Sequence, residues 1–449
     1  MPARKFEISH DQILHVLLNR CQVLNLVGRY ELALSGLNRG LAVSGMMGVK
    51  KYQADYHLEL SDVYNSISKY DEMLNSAREA QSIYRELGDT KGQAVSLNNI
   101  GLVYGSQGDY TKAMDNFSQA LKLEEDAGNL PGQSPSLNNL GFVHYHRGDF
   151  LKALECYQRS LKIEEAIGNR QVQATSLNNI GLIHGHLGDY SLAMEYFLKA
   201  LKIEEEIGDR HSLAPSLNNV GSVYYRSGDY FKALEYFIRS VKVRQEIGEH
   251  DGQAPSLNNI GSVYSILGDH QQAYDNFVRA LKIEEDIGDR QGQAISLNNI
   301  ANIHMKRGEC GKARPILLQA EKIALEMGAK GVLRQTYLYL GELELTLENL
   351  SAALECSERS LELAGQINSK AGRAEVLLLQ ARIEGSDAKF REAIDIFESL
   401  KQPMDAAKAR YYLGRVLNQP GEVMAARDVF QKLGIKSWVD RIDGEGSAK

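Results

Sequence analysis

The chain has 449 residues, of which 43% are hydrophobic and 24% are charged, so it contains enough apolar material for a packed interior and is not expected to be disordered. Its net charge of -7 and isoelectric point near 5.9 argue against nucleic-acid binding, which depends on lysine and arginine. Four widely spaced cysteines (Cys21, Cys156, Cys310 and Cys356) predict free thiols, and the sequence shows neither a signal peptide nor a membrane-spanning stretch. We therefore expect a cytoplasmic protein without membrane insertion.

An internal repeat of 40 residues dominates the sequence. The tetrapeptide Ser-Leu-Asn-Asn recurs with this period, starting at Ser96, Ser136, Ser176, Ser216, Ser256 and Ser296. A second landmark, Gly-Asp-Tyr or a close variant, keeps the same spacing at Gly108, Gly148, Gly188, Gly228 and Gly268. This regularity predicts an array of stacked units, each of which contacts only its neighbours.

Each period predicts two helices. Apolar or small residues at spacing i, i+3, i+4 and i+7 mark the first helix, helix A: Leu97, Ile100, Gly101 and Tyr104. Gly108 then ends this helix, and Asp109 is a favourable N-cap for the second, helix B. The apolar stripe of helix B consists of Ala113, Phe117, Ala120, Leu121 and Leu123. Because one such hairpin cannot bury its apolar faces alone, the hairpins must stack.

This pattern of small and aromatic residues resembles the tetratricopeptide repeat (TPR). The lengthened period is similar to that of Pins-type polarity adaptors, kinesin light chains and TPR arrays of bacterial signalling proteins. The resemblance implies an all-α fold, a right-handed TPR superhelical solenoid of antiparallel helix pairs, in which one face of each helix A lines a concave groove.

In chain order we expect an N-terminal extension at 1–10 and ten TPR-like repeats at 11–402. The approximate repeat bounds are 11–50, 51–90, 91–130, 131–170, 171–210, 211–250, 251–290, 291–330, 331–370 and 371–402. A degenerate repeat and C-terminal cap is predicted at 403–442, with Trp438 covering the exposed end of the stack. Residues 443–449 are predicted to form a flexible tail.

Paired asparagines recur on the predicted groove face of helix A. They are Asn98, Asn99, Asn138, Asn139, Asn178, Asn179, Asn218, Asn219, Asn258, Asn259, Asn298 and Asn299. Asparagine is a poor helix former, so some compensating role is expected. A carboxamide both donates and accepts hydrogen bonds, which suggests a ladder that holds the main chain of a peptide. The resemblance to TPR domains whose groove asparagines clamp peptide backbones, such as that of the protein O-GlcNAc transferase, implies the same role. Alternatively, one asparagine of each pair bonds to a neighbouring repeat and sets the pitch.

Specificity is expected from groove positions that differ between repeats. Tyr145, Tyr225 and Arg226 are the candidate anchors, since tyrosine and arginine often dominate binding surfaces. The position of Arg226 is occupied by His146, His186, Ile266 and Lys306 in other repeats. A metal site at the histidines is not expected, because no carboxylate or cysteine recurs beside them.

Glutamate pairs recur near the end of helix B and begin at Glu124, Glu164, Glu204 and Glu284. They predict a solvated ridge, paired with arginines of the following turn: Arg170, Arg210 and Arg290.

The sequence contains no phosphate-binding loop, zinc-protease motif or nucleophile elbow, and the repeats occupy nearly the whole chain. We therefore expect a non-catalytic scaffold that binds a protein or peptide ligand, as an extended segment or a helix, without a metal or cofactor. Two alternatives stay open. One is a sensor module of a larger signalling enzyme, such as a kinase, cyclase or NTPase. The other is self-association through the terminal repeats.

Overall fold

The computed structural model describes residues 10–447, so the predicted N-terminal extension lies outside the described residues except for His10. The described part contains 23 α-helices and one 3₁₀ turn, Asp251–Gln253. The first twelve helices are α1 His10–Leu26, α2 Tyr30–Met47, α3 Lys50–Ser66, α4 Tyr70–Leu87, α5 Thr90–Ser106, α6 Tyr110–Asp126, α7 Leu130–His146, α8 Phe150–Ile167, α9 Arg170–His186, α10 Tyr190–Ile207, α11 Arg210–Ser227 and α12 Tyr230–Glu246. The others are α13 Ala254–Leu267, α14 His270–Asp286, α15 Arg290–Lys306, α16 Cys310–Glu326, α17 Lys330–Thr346, α18 Leu350–Gln366, α19 Lys370–Glu384, α20 Asp387–Ser399, α21 Pro403–Val416, α22 Pro420–Lys432 and α23 Lys436–Ser447. None of the helices in this part of the chain is long and apolar enough to cross a membrane.

The helices end where the repeated glycine and aspartate residues predict. Gly108, between α5 and α6, has a φ of 77°, a left-handed conformation that glycine adopts without strain. Asp109 then accepts a hydrogen bond from the main-chain nitrogen of Lys112 at 3.1 Å and caps α6. The repeated glycine and aspartate therefore determine where helix A ends and helix B begins.

Glycine in the middle of helix A allows the paired helix B to approach. A Cβ atom built on Gly101 would lie 2.5 Å from the ring of Phe117, and one on Gly221 would lie 2.7 Å from the ring of Phe237. In these hairpins the glycine of helix A lies directly against the aromatic ring of helix B.

The chain divides into two compact units, Met1–Ile183 and His184–Lys449, with the boundary near the end of α9. Within each unit, consecutive helices pack against each other as a stack of antiparallel pairs. Unit 1 contains α1 to α8 and most of α9, and unit 2 contains α10 to α23.

The glutamate pairs contradict the predicted solvated ridge, because the first member of each pair is buried. The exposed fractions are 2% for Glu124, 2% for Glu164, 1% for Glu204 and 2% for Glu284. This glutamate faces the A helices on either side of it: Glu204 accepts a hydrogen bond from Ser216 of the following helix A at 2.8 Å, and Glu284 accepts one from Asn258 of the preceding helix A at 3.0 Å. The second glutamate of two pairs forms an exposed ion pair, Glu125 with Arg159 at 2.9 Å and Glu205 with Arg239 at 3.4 Å.

The arginine partners also differ from the prediction. Arg210 pairs with Glu246 at 3.1 Å, and Arg290 pairs with Glu326 at 2.8 Å, so each links the start of a helix A to the end of the helix B in its own hairpin. These contacts are exposed and contribute little stability.

In unit 2 the C-terminal helices pack against helices from much earlier in the chain. One apolar cluster combines Tyr230, Phe237, Leu257 and Ile260 of α12 and α13 with Met404, Tyr411, Phe430 and Ile442 of α21 to α23. Contact reaches the turn between α11 and α12, since a Cβ atom built on Gly228 would lie 2.6 Å from Cδ2 of Leu433. The first and last helices of this cluster therefore close on each other.

Trp438 lies within this closing contact. Its ring stacks on Phe430 with centroids 4.8 Å apart and meets Tyr411 edge-on at 5.2 Å. Helix α23 ends at Ser447, so residues 443–447, which the sequence predicted as flexible, are helical. The last two residues of the predicted tail lie outside the described residues.

Candidate peptide-binding surface

The Ser-Leu-Asn-Asn segments lie inside the odd-numbered helices α5 to α15, which are the A helices of their hairpins. The first asparagine of the pair bonds to a hydroxyl group of the next repeat. Five such links lie within the units: Asn98 with Ser136 (2.9 Å), Asn138 with Ser176 (3.2 Å), Asn218 with Ser256 (3.1 Å), Asn258 with Ser296 (2.9 Å) and Asn298 with Thr336 (2.9 Å).

The link at Asn98 shows why an amide suits this position. Its Nδ2 donates to Ser136 Oγ, and that hydroxyl donates back to Oδ1 at 3.2 Å. Both partners are buried, at 8% and 0% exposure, so the exchange satisfies polar groups that water does not reach. The first asparagines of these five links therefore join neighbouring repeats, which is the alternative role considered above.

The second asparagine lies on the face that successive A helices share. Asn99 Nδ2 donates to Asp62 of α3 at 2.7 Å, and Asn259 Nδ2 donates to Asn218 of α11 at 3.0 Å. In the other four repeats this side chain is half-buried and makes no hydrogen bond within the described part of the chain: Asn139, Asn179, Asn219 and Asn299. These four amides keep their donors and acceptors uncommitted.

A cleft of about 360 Å³ opens beside one of these amides, between α15 and α17. Asn298 and Asn299 line it together with Gln291, Ile295 and Gln335. Its wall thus combines four carboxamide side chains with the aliphatic side chain of Ile295. Such a surface offers hydrogen bonds to a main chain and apolar contact to a side chain.

The predicted aromatic anchors are partly buried. In unit 1, Tyr145 lies edge-on to His146 with ring centroids 5.4 Å apart, and burial raises the pKa of its phenol. In unit 2, Tyr225 lies edge-on to Tyr230 at 5.6 Å. Burial raises the pKa of Tyr225 to about 12, and the nearby carboxylate of Asp405 adds to this shift.

The sequence model of the family described as "Tetratricopeptide repeat" matches residues 52–126, 133–206, 212–286 and 254–326, which is more than half of the chain. The chain belongs to the tetratricopeptide repeat family. A search of curated protein sequences gives no match.

Solved structures agree with the TPR fold. The apo form of the quorum sensor NprR from B. thuringiensis has a TM-score of 0.52 and 16% identity, covering 79% of this chain and 99% of that one. A signal-transduction ATPase with a tetratricopeptide repeat sensor, from Pyrococcus horikoshii, has a TM-score of 0.55 and 15% identity, covering 72% of this chain and 50% of that one. Aspartyl phosphate phosphatase F from Bacillus subtilis has a TM-score of 0.50 and 15% identity, covering 75% and 92%. At these identities the likeness concerns the fold alone.

Several charged residues of the TPR surface were missed because they lie in the irregular last repeats. They are Arg334, Glu342, Glu375, Arg382, Asp405 and Lys408, from α17, α19 and α21. The carboxylates of Glu375 and Asp405 both raise the pKa of Tyr225, so α19 and α21 bring charged groups near α11. Only a correct phase for the degenerate repeats would have brought these residues to the groove face.

Arg226 is exposed on the same side of unit 2. It lies close enough to His186 to help lower the pKa of that imidazole, which burial lowers most. Among the described residues no group of three or more histidine, cysteine or acidic side chains is arranged to hold a metal ion.

Proposed function

We propose that this TPR chain is a non-catalytic binding module that holds extended peptide segments of a partner protein along the A helices within each unit. The second asparagines supply the main-chain contacts, and Tyr145, Tyr225 and Arg226 contact side chains. The observation that carries this proposal is the set of four half-buried amides without a partner in the described chain, Asn139, Asn179, Asn219 and Asn299. An amide held on a helix and left unpaired is ready to exchange hydrogen bonds with an incoming main chain.

The first asparagines do not enter this proposal as ligand contacts. Asn98, Asn138, Asn218, Asn258 and Asn298 already bond to the following repeat. Their contribution is to position the neighbouring amides.

The proposed role includes a cytoplasmic location, in keeping with four cysteines that form no disulfide. A sensor role within a larger signalling protein is a narrower version of the same proposal. The Pyrococcus ATPase contains a TPR part described as a sensor, and this chain matches half of that protein.

The test is selection of peptides from a displayed random library by the full chain, followed by affinity measurements on the four-site variant Asn139→Ala, Asn179→Ala, Asn219→Ala, Asn299→Ala. Each lost hydrogen bond is expected to weaken binding by about fivefold, since one such bond contributes about 1 kcal/mol. N-methylation of the peptide main chain is expected to have a similar effect.

The matched control is Asn38→Ala with Asn116→Ala. Both amides are exposed on B helices and donate only to a carbonyl oxygen of their own helix. Unchanged affinity in the four-site variant, or an equal loss in the control, would refute the asparagine contacts.

A further inference from the structure

The A helices of unit 2 bring charged side chains from distant repeats to one surface, which we call the inner wall. It consists of Tyr225, Arg226, Lys306, Tyr339, Glu342, Glu375, Asp405 and Lys408, from α11, α15, α17, α19 and α21. Their proximity is visible in direct contacts and in mutual effects on ionisation. Asn302 of α15 donates to the hydroxyl of Tyr339 at 3.5 Å, and the ionisation of Tyr339 also responds to Tyr225 of α11.

Each acid of the inner wall has a basic partner. Glu375 pairs with Arg334 at 2.7 Å, Glu342 with Arg382 at 3.7 Å, and Asp405 with Lys408 at 3.3 Å. These three pairs use all the carboxylates of the wall.

Two cations remain. Lys306 Nζ donates to Ser265 Oγ at 2.6 Å, which supplies no negative charge. Arg226 is exposed, and no acid of the described chain lies within ion-pair distance of either side chain. Counted together with the partners Arg334 and Arg382, the inner wall has five basic against three acidic side chains, an excess of two positive charges, although the whole chain carries -7.

The surrounding protein relieves only part of the excess charge, since the carboxylate of Glu342 favours the charged form of Lys306. The pKa of Lys306 is lowered to about 8, chiefly because the packed helices displace solvent and also because Lys408 adds a second positive charge. Arg226 similarly helps to keep His186 neutral. A group whose charge is disfavoured in the free protein gains most when a ligand brings the opposite charge.

We propose that the inner wall of unit 2 selects an acidic peptide segment, with one carboxylate at Arg226 and another at Lys306. This inference rests on the proposed peptide-binding function and specifies its ligand. The two cations occupy the same position of repeats two periods apart, with Ile266 between them. The favoured segment therefore has an apolar residue between its acids.

A peptide fits this wall better than a nucleic acid because the same helices carry amides. Asn219 and Asn299 lie on α11 and α15, and both are uncommitted within the described chain. A phosphate backbone has no N–H group to donate to such amides, whereas a peptide main chain both donates and accepts.

The experiment measures binding of three peptides of equal length by fluorescence anisotropy with the full chain. They share an apolar sequence and carry glutamate, glutamine or lysine at the variable positions. The glutamate peptide is expected to bind at least about tenfold more tightly than the glutamine peptide, and the difference should shrink with added salt. The double variant Arg226→Glu, Lys306→Glu is expected to prefer the lysine peptide.

The matched control is Arg279→Glu on α14, an exposed arginine that forms no ion pair in the described chain. This variant should keep the preference for glutamate. Thermal melting checks that each variant is folded, and the milder pair Arg226→Gln, Lys306→Gln replaces the double reversal if that variant unfolds.

The outcomes separate the two proposals. If the glutamate and glutamine peptides bound equally well, the acidic preference would be overturned. If both peptides also lost affinity for the four-site asparagine variant, the proposal of peptide binding would remain intact. Failure of all peptides, including those from the library, would overturn both. Tighter binding of a single-stranded oligothymidine in place of any peptide would show that the wall recognises phosphate.

Discussion

The joint between α5 and α7 and the joint between α17 and α19 occupy equivalent places in the repeat but use different chemistry. In the first, Asn98 and Ser136 exchange two hydrogen bonds in a buried setting. In the second, the equivalent residues are Leu338 and Val376, which are 5% and 0% exposed and lie in one apolar cluster. The same helix packing is therefore compatible with a polar or an apolar joint.

The buried acid of helix B follows the same division. The central repeats carry glutamates such as Glu124 and Glu284, whereas the equivalent positions of the later repeats are Ala324 and Ala364, also buried. Burying a carboxylate is costly unless hydrogen bonds compensate it. The polar joints thus impose directional constraints on the central repeats, while the C-terminal helices obtain their contacts from apolar area.

The largest expected effect is in the apolar region, at Trp438. Replacement Trp438→Ala removes the stacking on Phe430 and the edge contact with Tyr411. We expect a loss of about 3 kcal/mol in the free energy of unfolding of this region, as for other large-to-small core changes. Chemical denaturation gives the energy, and hydrogen exchange should show α21 to α23 opening first.

Met424→Ala serves as the control for this change. Met424 lies on α22 and is 52% exposed, so its removal should alter stability by no more than about 0.5 kcal/mol. If the Trp438 variant opened no more easily than this control, the closing contact would not stabilise unit 2.

The polar joint gives the next effect. Ser136→Val leaves the amide of Asn98 buried without its partner, and a loss of about 2 kcal/mol is expected. Adding Asn98→Leu copies the apolar joint of Leu338 and Val376, and most of the lost stability should return. Denaturation of both single variants and the double variant tests this, and additive losses would show that the two chemistries are not interchangeable.

The regular part of the fold was predictable from the sequence because each repeat contains the residues that end one helix and begin the next. Gly108 and Asp109 behave as the 40-residue pattern predicts, at the end of helix A and the start of helix B. The resemblance to the TPR family, now shown by the family match, supplied the stacking of hairpins.

Two features could not be predicted from periodicity. Burial of Glu124 depends on its direction relative to the next helix A, and the acidic character of the helix end indicated exposure instead. The packing of Phe430 and Trp438 against α12 and α13 is a contact between residues nearly two hundred positions apart, to which a local pattern gives no clue. The different roles of the two asparagines in each pair could not be predicted either, because they depend on which amide contacts the hydroxyl group of the next repeat.

The buried acid of the central repeats predicts a smaller, pH-dependent effect at Glu284. Burial raises the pKa of this carboxyl, and one of its oxygens has no hydrogen-bond partner. The folded protein therefore binds this proton more tightly than the unfolded chain, so stability falls as pH rises from the unfolded pKa through the raised folded pKa. Glu284→Gln should stabilise the protein by about 1 kcal/mol at pH 7, and the gain should vanish near pH 4.

Glu285→Gln is the matched control for this titration, because Glu285 is the exposed neighbour on the same helix. Its effect should stay below about 0.5 kcal/mol and show no comparable pH dependence. If the Glu284→Gln variant were stabilised by the same amount at pH 4 and at pH 7, the effect could not come from a buried charge at Glu284.

The smallest expected effect tests the place where the polar repeats meet the C-terminal helices, at Lys306. Its ammonium faces Ser265 of α13, Glu342 of α17 and Lys408 of α21, and it lies near His270 and Arg307. The pKa of Lys306 is about 8 in the free protein, and an acidic ligand should raise it. Affinity for the glutamate peptide should therefore be nearly full at about pH 7 and fall by about threefold towards pH 9, as the ammonium of Lys306 loses its proton. His270, whose pKa is lowered chiefly by burial, is already neutral in this range.

Anisotropy titrations of the wild type and of the variant Lys306→Gln test this prediction. The variant should bind the glutamate peptide weakly and equally at both pH values. If its affinity still depended on pH, the titrating group would be a residue other than Lys306.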